Sequence, residues 1–257
     1  MGFQPINTQR LARFNSALAS QVLDIYEQGL EDRIAEERSR KPSQTFAPSS
    51  MRCERISWFR LRGVEPDKVE TADIGLDFTA KMGTACHEMI QEALSRTEYW
   101  VDVQAYVESL PTKHMYSLER NGYETRITMQ DPPIRFSCDG ILKIDGQYIL
   151  IEIKSCDHSS FMDLTDPKSQ HIYQAKGYGT LLHIDKVIFI YIDRQYGDVK
   201  SYEIKITLED STQIVNMFSR VQKLAEARIV PEPLPKGDCW CSRSMCNYFD
   251  KCSQYGR

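Results

Sequence analysis

This sequence of 257 residues lacks several features, and each absence excludes a class of protein. No apolar run approaches the roughly 18 residues that a membrane-spanning helix needs, so we expect no membrane partner. The first ten residues have no apolar signal-peptide core, and Ile6 stands where myristoylation requires Ser or Thr. No Walker A motif occurs, which excludes a helicase motor. We therefore expect a cytoplasmic protein.

Acidic and basic residues nearly balance, and the formal net charge of −4 argues against a protein that coats nucleic acid. An enzyme of nucleic acid is compatible with this charge, because such enzymes keep their positive charge local. The chain has eight cysteines, which a reducing cytoplasm does not join into a disulfide framework. Their crowding near the end of the sequence indicates metal binding instead, at Cys239, Cys241, Cys246 and Cys252.

Hydrophobic periodicity and turn residues predict a mixed α/β protein. A long amphipathic helix is expected within residues 9–40, and a further helix is expected to open at Gly83 and Thr84. Asp166 is typical of an N-cap and predicts another helix start. The chain divides into three predicted parts, a helical N-terminal region (1–50), a core (51–230) and a cysteine-rich tail (231–257).

The stretch CDGILKIDGQYILIEIKSC is typical of a β-hairpin that turns at Asp145–Gly146. With those two residues as the turn, Asp139 faces Glu152 across the two strands. Lys154 lies two residues further along, so the pleat returns it to the same side of the sheet. Two carboxylates and one ammonium are thereby predicted at one end of one face.

Two carboxylates that face each other repel, and their burial without a partner is costly. A divalent cation between Asp139 and Glu152 removes both objections, and Mg²⁺ is commonly held by one or two carboxylates. The alternative is a surface salt bridge between Lys154 and one of the acids. The apolar neighbours in ILIEIK disfavour that alternative, because they indicate a buried strand.

Two further short motifs accompany Asp139, Glu152 and Lys154: a G-x-x-x-H that ends at His87, and a Q-x-x-x-Y that ends at Tyr178. In the order GxxxH, D, ExK and QxxxY, the set resembles the PD-(D/E)xK nuclease superfamily and its RecB-type subgroup. The Pro that often precedes the Asp of this superfamily is missing here. The resemblance implies a restriction-endonuclease-like core, in which helices flank a mixed central sheet.

The resemblance also implies a role for each motif residue. The implied ligands of Mg²⁺ or Mn²⁺ are His87, Asp139, Glu152 and the backbone carbonyl of Ile153. Lys154 would orient or activate the attacking water and stabilise the charge that develops on the phosphorane.

Gln174 and Tyr178 lie one helical turn apart, and therefore on one face of their helix. By resemblance they would contact the DNA strand near the scissile phosphate. Packing of Tyr178 within the protein is the alternative. Glu124, on a strand before the hairpin, is a further acid that could join the site.

The cysteines extend the resemblance to the iron–sulfur nucleases of CRISPR adaptation and to the AddB-type helicase–nucleases. Those proteins hold a 4Fe–4S cluster with one upstream cysteine and three C-terminal ones. The implied ligands here are Cys53, Cys241, Cys246 and Cys252. Cys239 is the alternative to Cys241, because the tail has C-x-C where the family has C-x2-C. The four tail cysteines could instead hold Zn²⁺ and leave Cys53 without a metal role.

The residues and the resemblance together predict a Mg²⁺- or Mn²⁺-dependent deoxyribonuclease, an exonuclease on single strands or duplex ends. We expect it in DNA recombination, repair or processing in a bacterium or phage, with a recombination or single-strand-binding protein as partner. One rival is a non-catalytic DNA- or protein-binding module on the same fold, with a structural zinc. Another is a redox-sensing iron–sulfur protein, which would leave the nuclease motifs unexplained.

Overall fold

The computed structural model describes residues 17–38, 43–67, 74–235, 237–238, 241–243 and 246–256. Residues 17–38 and 74–82 form one compact unit, in which α1 (Ala17–Arg38) is joined to Asp77 by the ion pair of Arg33. Residues 43–67 and the described residues from 83 onward form a second unit, which holds all the groups discussed below. The predicted three-part division of the chain stays a prediction.

A five-stranded mixed sheet forms the centre of the second unit. Its strands, in spatial order, are β1 (Trp100–Val101), β5 (Gly140–Ile144), β6 (Gln147–Cys156), β7 (Lys186–Asp193) and β8 (Val199–Lys205). Neighbours are antiparallel except β6 and β7, which run parallel. The central strand β6 is buried from residue 150 to residue 153, which accounts for its apolar run.

The register of the β5–β6 hairpin is the predicted one. Asp145 and Gly146 both have positive φ angles, of 50° and 78°, as a two-residue hairpin turn requires. Gly140 pairs with Ile151. Asp139 and Glu152 are the next residues away from the turn, directly beyond the pair Gly140 and Ile151 that ends the ladder.

A second, antiparallel sheet has three strands in the order β2 (Tyr116–Asn121), β3 (Glu124–Gln130) and β4 (Pro133–Phe136). The alternating residues of β3 predict a strand, but the sequence gives no sign that it belongs to a separate sheet. Phe46 bridges to Ile134 of β4, which ties the segment before the second helix to this sheet.

The helices of the second unit, with one that begins before it, are α2 (Glu54–Leu61), α3 (Ile74–Ser95), α4 (Val103–Ser109), α5 (His158–Met162), α6 (Ser169–Leu182), α7 (Leu208–Glu226) and α8 (Phe249–Ser253). The loop from α6 to β7 packs closely against the end of α6 because Gly179 has no side chain, and an added Cβ there would lie 2.5 Å from the carbonyl oxygen of Ile184 in that loop. The predicted mixed α/β class, with helices flanking a mixed central sheet, is confirmed. No helix in the described ranges has the length and apolarity that crossing a membrane requires.

The start of α3 differs from the predicted one. The helix begins at Ile74, so Gly83 and Thr84 lie inside it. Gly83 has a packing role instead of an opening role, because an added Cβ would lie 3.2 Å from Oγ of Ser155. The glycine of the GxxxH motif therefore lets α3 approach β6 beside the candidate site.

The start of α6 also differs, because Lys168 and not Asp166 occupies its N-cap. The backbone N–H of Lys168 donates a hydrogen bond of 3.1 Å to the hydroxyl of Tyr191. This contact with β7 fixes the extended backbone before the helix, so the first helical residue is Ser169.

Candidate metal-binding active site

The β5–β6 hairpin brings its three predicted site residues together. Oδ2 of Asp139 accepts a hydrogen bond of 2.6 Å from the backbone N–H of Ile153. Nζ of Lys154 donates a hydrogen bond of 2.5 Å to Oε1 of Glu152. The two acids and the lysine therefore form one contiguous group at the end of the hairpin.

Glu152 is the most buried member of this group, with 1% of its surface exposed. Its Oε2 atom is buried and has no hydrogen-bond partner among the described residues. Burial, and next the negative charge of Asp139, raise the pKa of Glu152 to about 7. A buried carboxylate oxygen without a donor is costly, and coordination to a divalent cation would satisfy it.

Helix α3 contributes two side chains to the same place. Nδ1 of His87 lies 3.2 Å from Oδ1 of Asp139. Burial lowers the pKa of His87, but the hydrogen bond and the charge of Asp139 outweigh burial and leave that pKa raised. Gln91, one turn further, is 2% exposed and donates a hydrogen bond of 2.8 Å to the backbone carbonyl of Asp139.

The second sheet contributes Glu124, at the start of β3. Ser137 donates a hydrogen bond of 2.8 Å to one of its carboxylate oxygens. Single ligand atoms of His87, Glu124 and Asp139 all lie within 4.8 Å of one another. Glu152 is not in this group of three, although its unpartnered oxygen belongs to the same end of the hairpin. Two carboxylates and one imidazole fit a divalent cation such as Mg²⁺ or Mn²⁺.

Helix α6 places Gln174 between the lysine and Tyr178. Oε1 of Gln174 lies 3.5 Å from Nζ of Lys154, and its Nε2 donates a hydrogen bond of 2.7 Å to the hydroxyl of Tyr178. Tyr178 is 7% exposed, and its ring stacks on Phe136 at 5.5 Å between ring centroids. The ring thus belongs to the core. The predicted DNA contacts of Gln174 and Tyr178 stay predictions.

A cavity of about 390 Å³ lies among α2, α6 and the tail. Four of its lining residues are cysteines: Cys53, Cys241, Cys246 and Cys252. Burial raises the pKa of the thiols of Cys53 and Cys246, and neighbouring sulfurs of this group raise both further. Cys239 lies outside the described residues.

Several contacts of the tail with α2 and with the segment that follows it involve no sulfur. The ring of Phe59 stacks on Tyr248 at 5.2 Å between ring centroids. The carboxylate of Asp67 accepts hydrogen bonds of 2.8 and 3.1 Å from the backbone N–H groups of Asp250 and Lys251. These contacts hold α8, which carries Cys252, against the segment that carries Cys53.

No family model matches the chain, and no curated protein matches it. Among solved structures, the chain is similar to the crystal structure of SSO0001, with 18% identity, a TM-score of 0.49 and coverage of 90% of this chain and 96% of that one. It is also similar to an alkaline exonuclease (LHK-Exo) from Laribacter hongkongensis, with 13% identity, a TM-score of 0.41 and coverage of 73% and 90%. Likenesses of this degree do not define a function.

Two residues of these sites are not identified by the sequence analysis. Gln91 follows His87 by four residues, so helical spacing could have placed it on the same face. Arg55 is one of several arginines in a basic stretch, and nothing in the sequence distinguishes it. Glu124, which the sequence indicates only as an additional acid, lies in one group of candidate ligands with His87 and Asp139.

Proposed function

We propose that the chain is a metal-dependent deoxyribonuclease that hydrolyses phosphodiester bonds as an exonuclease on single strands or DNA ends. The observation that carries the proposal is the convergence of Asp139, Glu152 and Lys154 at one end of a hairpin. His87 and Glu124 lie beside them and enlarge the donor set. Burial of two carboxylates beside a lysine costs folding free energy, and such a cost is typical of a site that performs chemistry, here on a phosphate group.

The proposed ligands of the cation, Mg²⁺ or Mn²⁺, are His87, Glu124, Asp139, Glu152 and the backbone carbonyl of Ile153. When bound, the cation would polarise the scissile phosphate and neutralise the charge that it develops. Gln91 would keep the ligand strand in place through its hydrogen bond to the carbonyl of Asp139.

Lys154 would supply a positive charge at the scissile phosphate in addition to that of the cation. In the hydrolysis a water oxygen bonds to phosphorus, the bond from phosphorus to the leaving sugar oxygen breaks, and that oxygen gains a proton. The ammonium of Lys154 can donate a hydrogen bond to the attacking water or to a phosphate oxygen, which stabilises the phosphorane. Glu152 and Gln174 hold the ammonium from two sides, so its position is fixed before the substrate arrives.

DNA is the proposed substrate, and a recombination or single-strand-binding protein is the proposed partner. Gln174 is half-buried on α6 and lies beside Lys154, where it would meet the strand next to the scissile phosphate. Tyr178 would act through its hydroxyl, since its ring packs on Phe136.

The second part of the proposal is a 4Fe–4S cluster, with Cys53, Cys241, Cys246 and Cys252 as ligands. Their location around one cavity supports it. A tetrahedral zinc with Zn–S bonds of about 2.3 Å needs sulfurs about 3.8 Å apart. The zinc alternative, which uses Cys239, Cys241, Cys246 and Cys252, includes a residue outside the described ranges, so metal analysis has to separate zinc from the iron–sulfur cluster. The cluster would tie the segment of Cys53 to the tail.

The nuclease proposal is tested with end-labelled DNA, single-stranded and duplex, linear and circular, in Mg²⁺, Mn²⁺ or EDTA. We expect the label to be released from linear DNA only with a divalent cation, and closed circles to resist. Cleavage in EDTA would overturn the metal dependence. Binding of DNA without cleavage under any metal would favour the non-catalytic module, and cleavage of circles would replace exonuclease action with endonuclease action.

A further inference from the structure

Arg55 is a buried cation in the wall of the cysteine cavity. It lies on α2, and 3% of its surface is exposed. Its Nε donates a hydrogen bond of 2.7 Å to the backbone carbonyl of Pro231. Its Nη1 lies 3.3 Å from the sulfur of Cys252 and 3.5 Å from the carbonyl oxygen of the same residue. The guanidinium therefore points at a proposed ligand sulfur.

The charge of Arg55 has no carboxylate partner among the described residues, since its contacts are two carbonyls and one sulfur. An arginine side chain stays charged in a protein, and a buried charge without a counter-charge costs several kcal/mol. A neutral thiol is a weak acceptor and does not offset that cost. The position of Arg55 therefore calls for an anion in the cavity.

The proposed cluster supplies that anion. Four thiolates around an oxidised 4Fe–4S core leave a net charge of roughly −2, and one-electron reduction makes it more negative by one. We propose that Arg55 is the charge partner of the cluster and that its N–H···S hydrogen bond to Cys252 raises the reduction potential of the cluster, an inference that depends on the cluster proposed above.

The direction of the effect follows from electrostatics. A positive charge and a hydrogen bond to a ligand sulfur both stabilise the more negative, reduced state more than the oxidised one. Arg55 should also favour assembly of the cluster, because its positive charge offsets the negative charge that the cluster brings into the cavity. Its hydrogen bond to Pro231 gives it a docking role too, so the test needs a readout that docking does not change.

The test measures iron content and the midpoint reduction potential of anaerobically purified full-length protein, by spectroelectrochemical titration with dithionite as electron donor. We expect Arg55→Met to shift the reduction equilibrium at least tenfold toward the oxidised cluster, which is about 59 mV for one electron. Arg55→Lys keeps the charge and should shift it less, in the same direction. Arg60→Met is the matched control, because Arg60 lies on the same helix and lines the same cavity but bonds to Thr45 and Ser43.

An Arg55→Met protein with full iron content and the wild-type potential would overturn the inference. If Arg55→Met holds no cluster, retention of iron in both Arg55→Lys and Arg60→Met supports charge compensation. Equal loss of iron in all three variants overturns it, because it shows that α2 docking is the cause. If the wild-type protein contains no iron, the proposed cluster and this inference are both wrong. The DNA cleavage test of the proposed nuclease does not depend on that result.

Discussion

The hairpin site and the cysteine cavity are built in opposite ways. The hairpin site places Asp139, Glu152 and Lys154 within one short stretch of chain, where a two-residue turn fixes which residues face each other. The cysteine cavity joins Cys53 to a tail roughly 190 residues later, and closing so long a loop carries an entropic cost. One site depends on local register and the other on long-range docking.

This difference indicates that the stability of a site depends on how many residues lie between the chain segments that form it. The hairpin ladder lies in the centre of a five-stranded sheet and keeps its register without the tail. The cavity depends on a few contacts between α2 and the tail, such as the stacking of Phe59 on Tyr248. We therefore expect the two sites to fail independently, and the predictions below test that separation.

The largest expected effect is on catalysis. Glu152→Gln removes a proposed cation ligand and should lower DNA cleavage by at least about 10³-fold, equivalent to about 4 kcal/mol of transition-state stabilisation. The variant should keep its iron and its fold, because a neutral amide replaces a carboxylate whose burial is already costly. Cleavage rate, iron content and circular dichroism are the measurements.

Glu203→Gln is the matched control for that variant, since Glu203 is an exposed carboxylate on β8 of the same sheet. Its cleavage rate should equal that of the wild type. Undiminished activity of Glu152→Gln would contradict the site, and loss of iron from it would contradict the independence of the two sites.

The next effect is on the cysteine cavity. Cys53→Ser should lose the bound iron and lower the free energy of unfolding by roughly 3–4 kcal/mol, because the clasp that closes the long loop is gone. Mn²⁺ affinity of the hairpin site, measured by calorimetry, should stay at the wild-type value. Cys86→Ser is the control, because Cys86 is buried on α3 and is not part of the cavity wall. Unchanged metal content in Cys53→Ser would show that the tail cysteines bind the metal without Cys53, and zinc in place of iron would identify that metal site as the local zinc alternative.

The same contrast explains what the sequence could predict. The Asp145–Gly146 turn determines that Asp139 faces Glu152, and the two-residue period of a strand returns Lys154 to the same side, so the core of the candidate site follows from local chemistry. The contacts of Gln91 with Asp139 and of Arg55 with Cys252 cross between elements far apart in the chain. No local pattern encodes them, because packing of whole elements decides which surfaces meet.

A third effect is on stability as a function of pH in metal-free protein. The pKa of Glu152 is raised from 4.5 to about 7, so between those values the unfolded state has already lost a proton that the folded state keeps. The contribution of Glu152 to stability should therefore fall as pH rises from 4.5 to 7, by roughly 3 kcal/mol at most, and then level off. His87, with its raised pKa, acts in the same direction.

Urea unfolding from pH 5 to pH 8 in EDTA measures this loss. In Glu152→Gln most of the pH dependence should disappear, and in the wild type Mn²⁺ should offset it, because the cation favours the ionised carboxylate. A wild-type protein that gains stability over this range would show that the buried carboxylate is stabilised by other groups.

A smaller effect concerns Gln91 as a positioning residue. Gln91→Met keeps the length of the side chain and removes the donor to the carbonyl of Asp139, so Mn²⁺ affinity should fall about 10- to 100-fold. Calorimetric titration with Mn²⁺ gives the affinity. Gln104→Met is the control, because the amide of Gln104 bonds to Glu108 at the surface of α4. A loss of stability with unchanged Mn²⁺ affinity would reduce Gln91 to a packing residue.

The smallest effect separates two roles of Tyr178. Tyr178→Phe keeps the ring on Phe136 and removes only the hydroxyl that accepts the hydrogen bond of Gln174. The amide of Gln174 then loses its acceptor and holds Lys154 less firmly, which should lower kcat about fivefold, or about 1 kcal/mol, at unchanged Kd for DNA. Tyr202→Phe removes a hydroxyl that bonds to Leu164 and should leave kcat unchanged. Weaker DNA binding at constant kcat would instead show that the hydroxyl of Tyr178 contacts the DNA strand. The packing of its ring in the core would then only orient that hydroxyl.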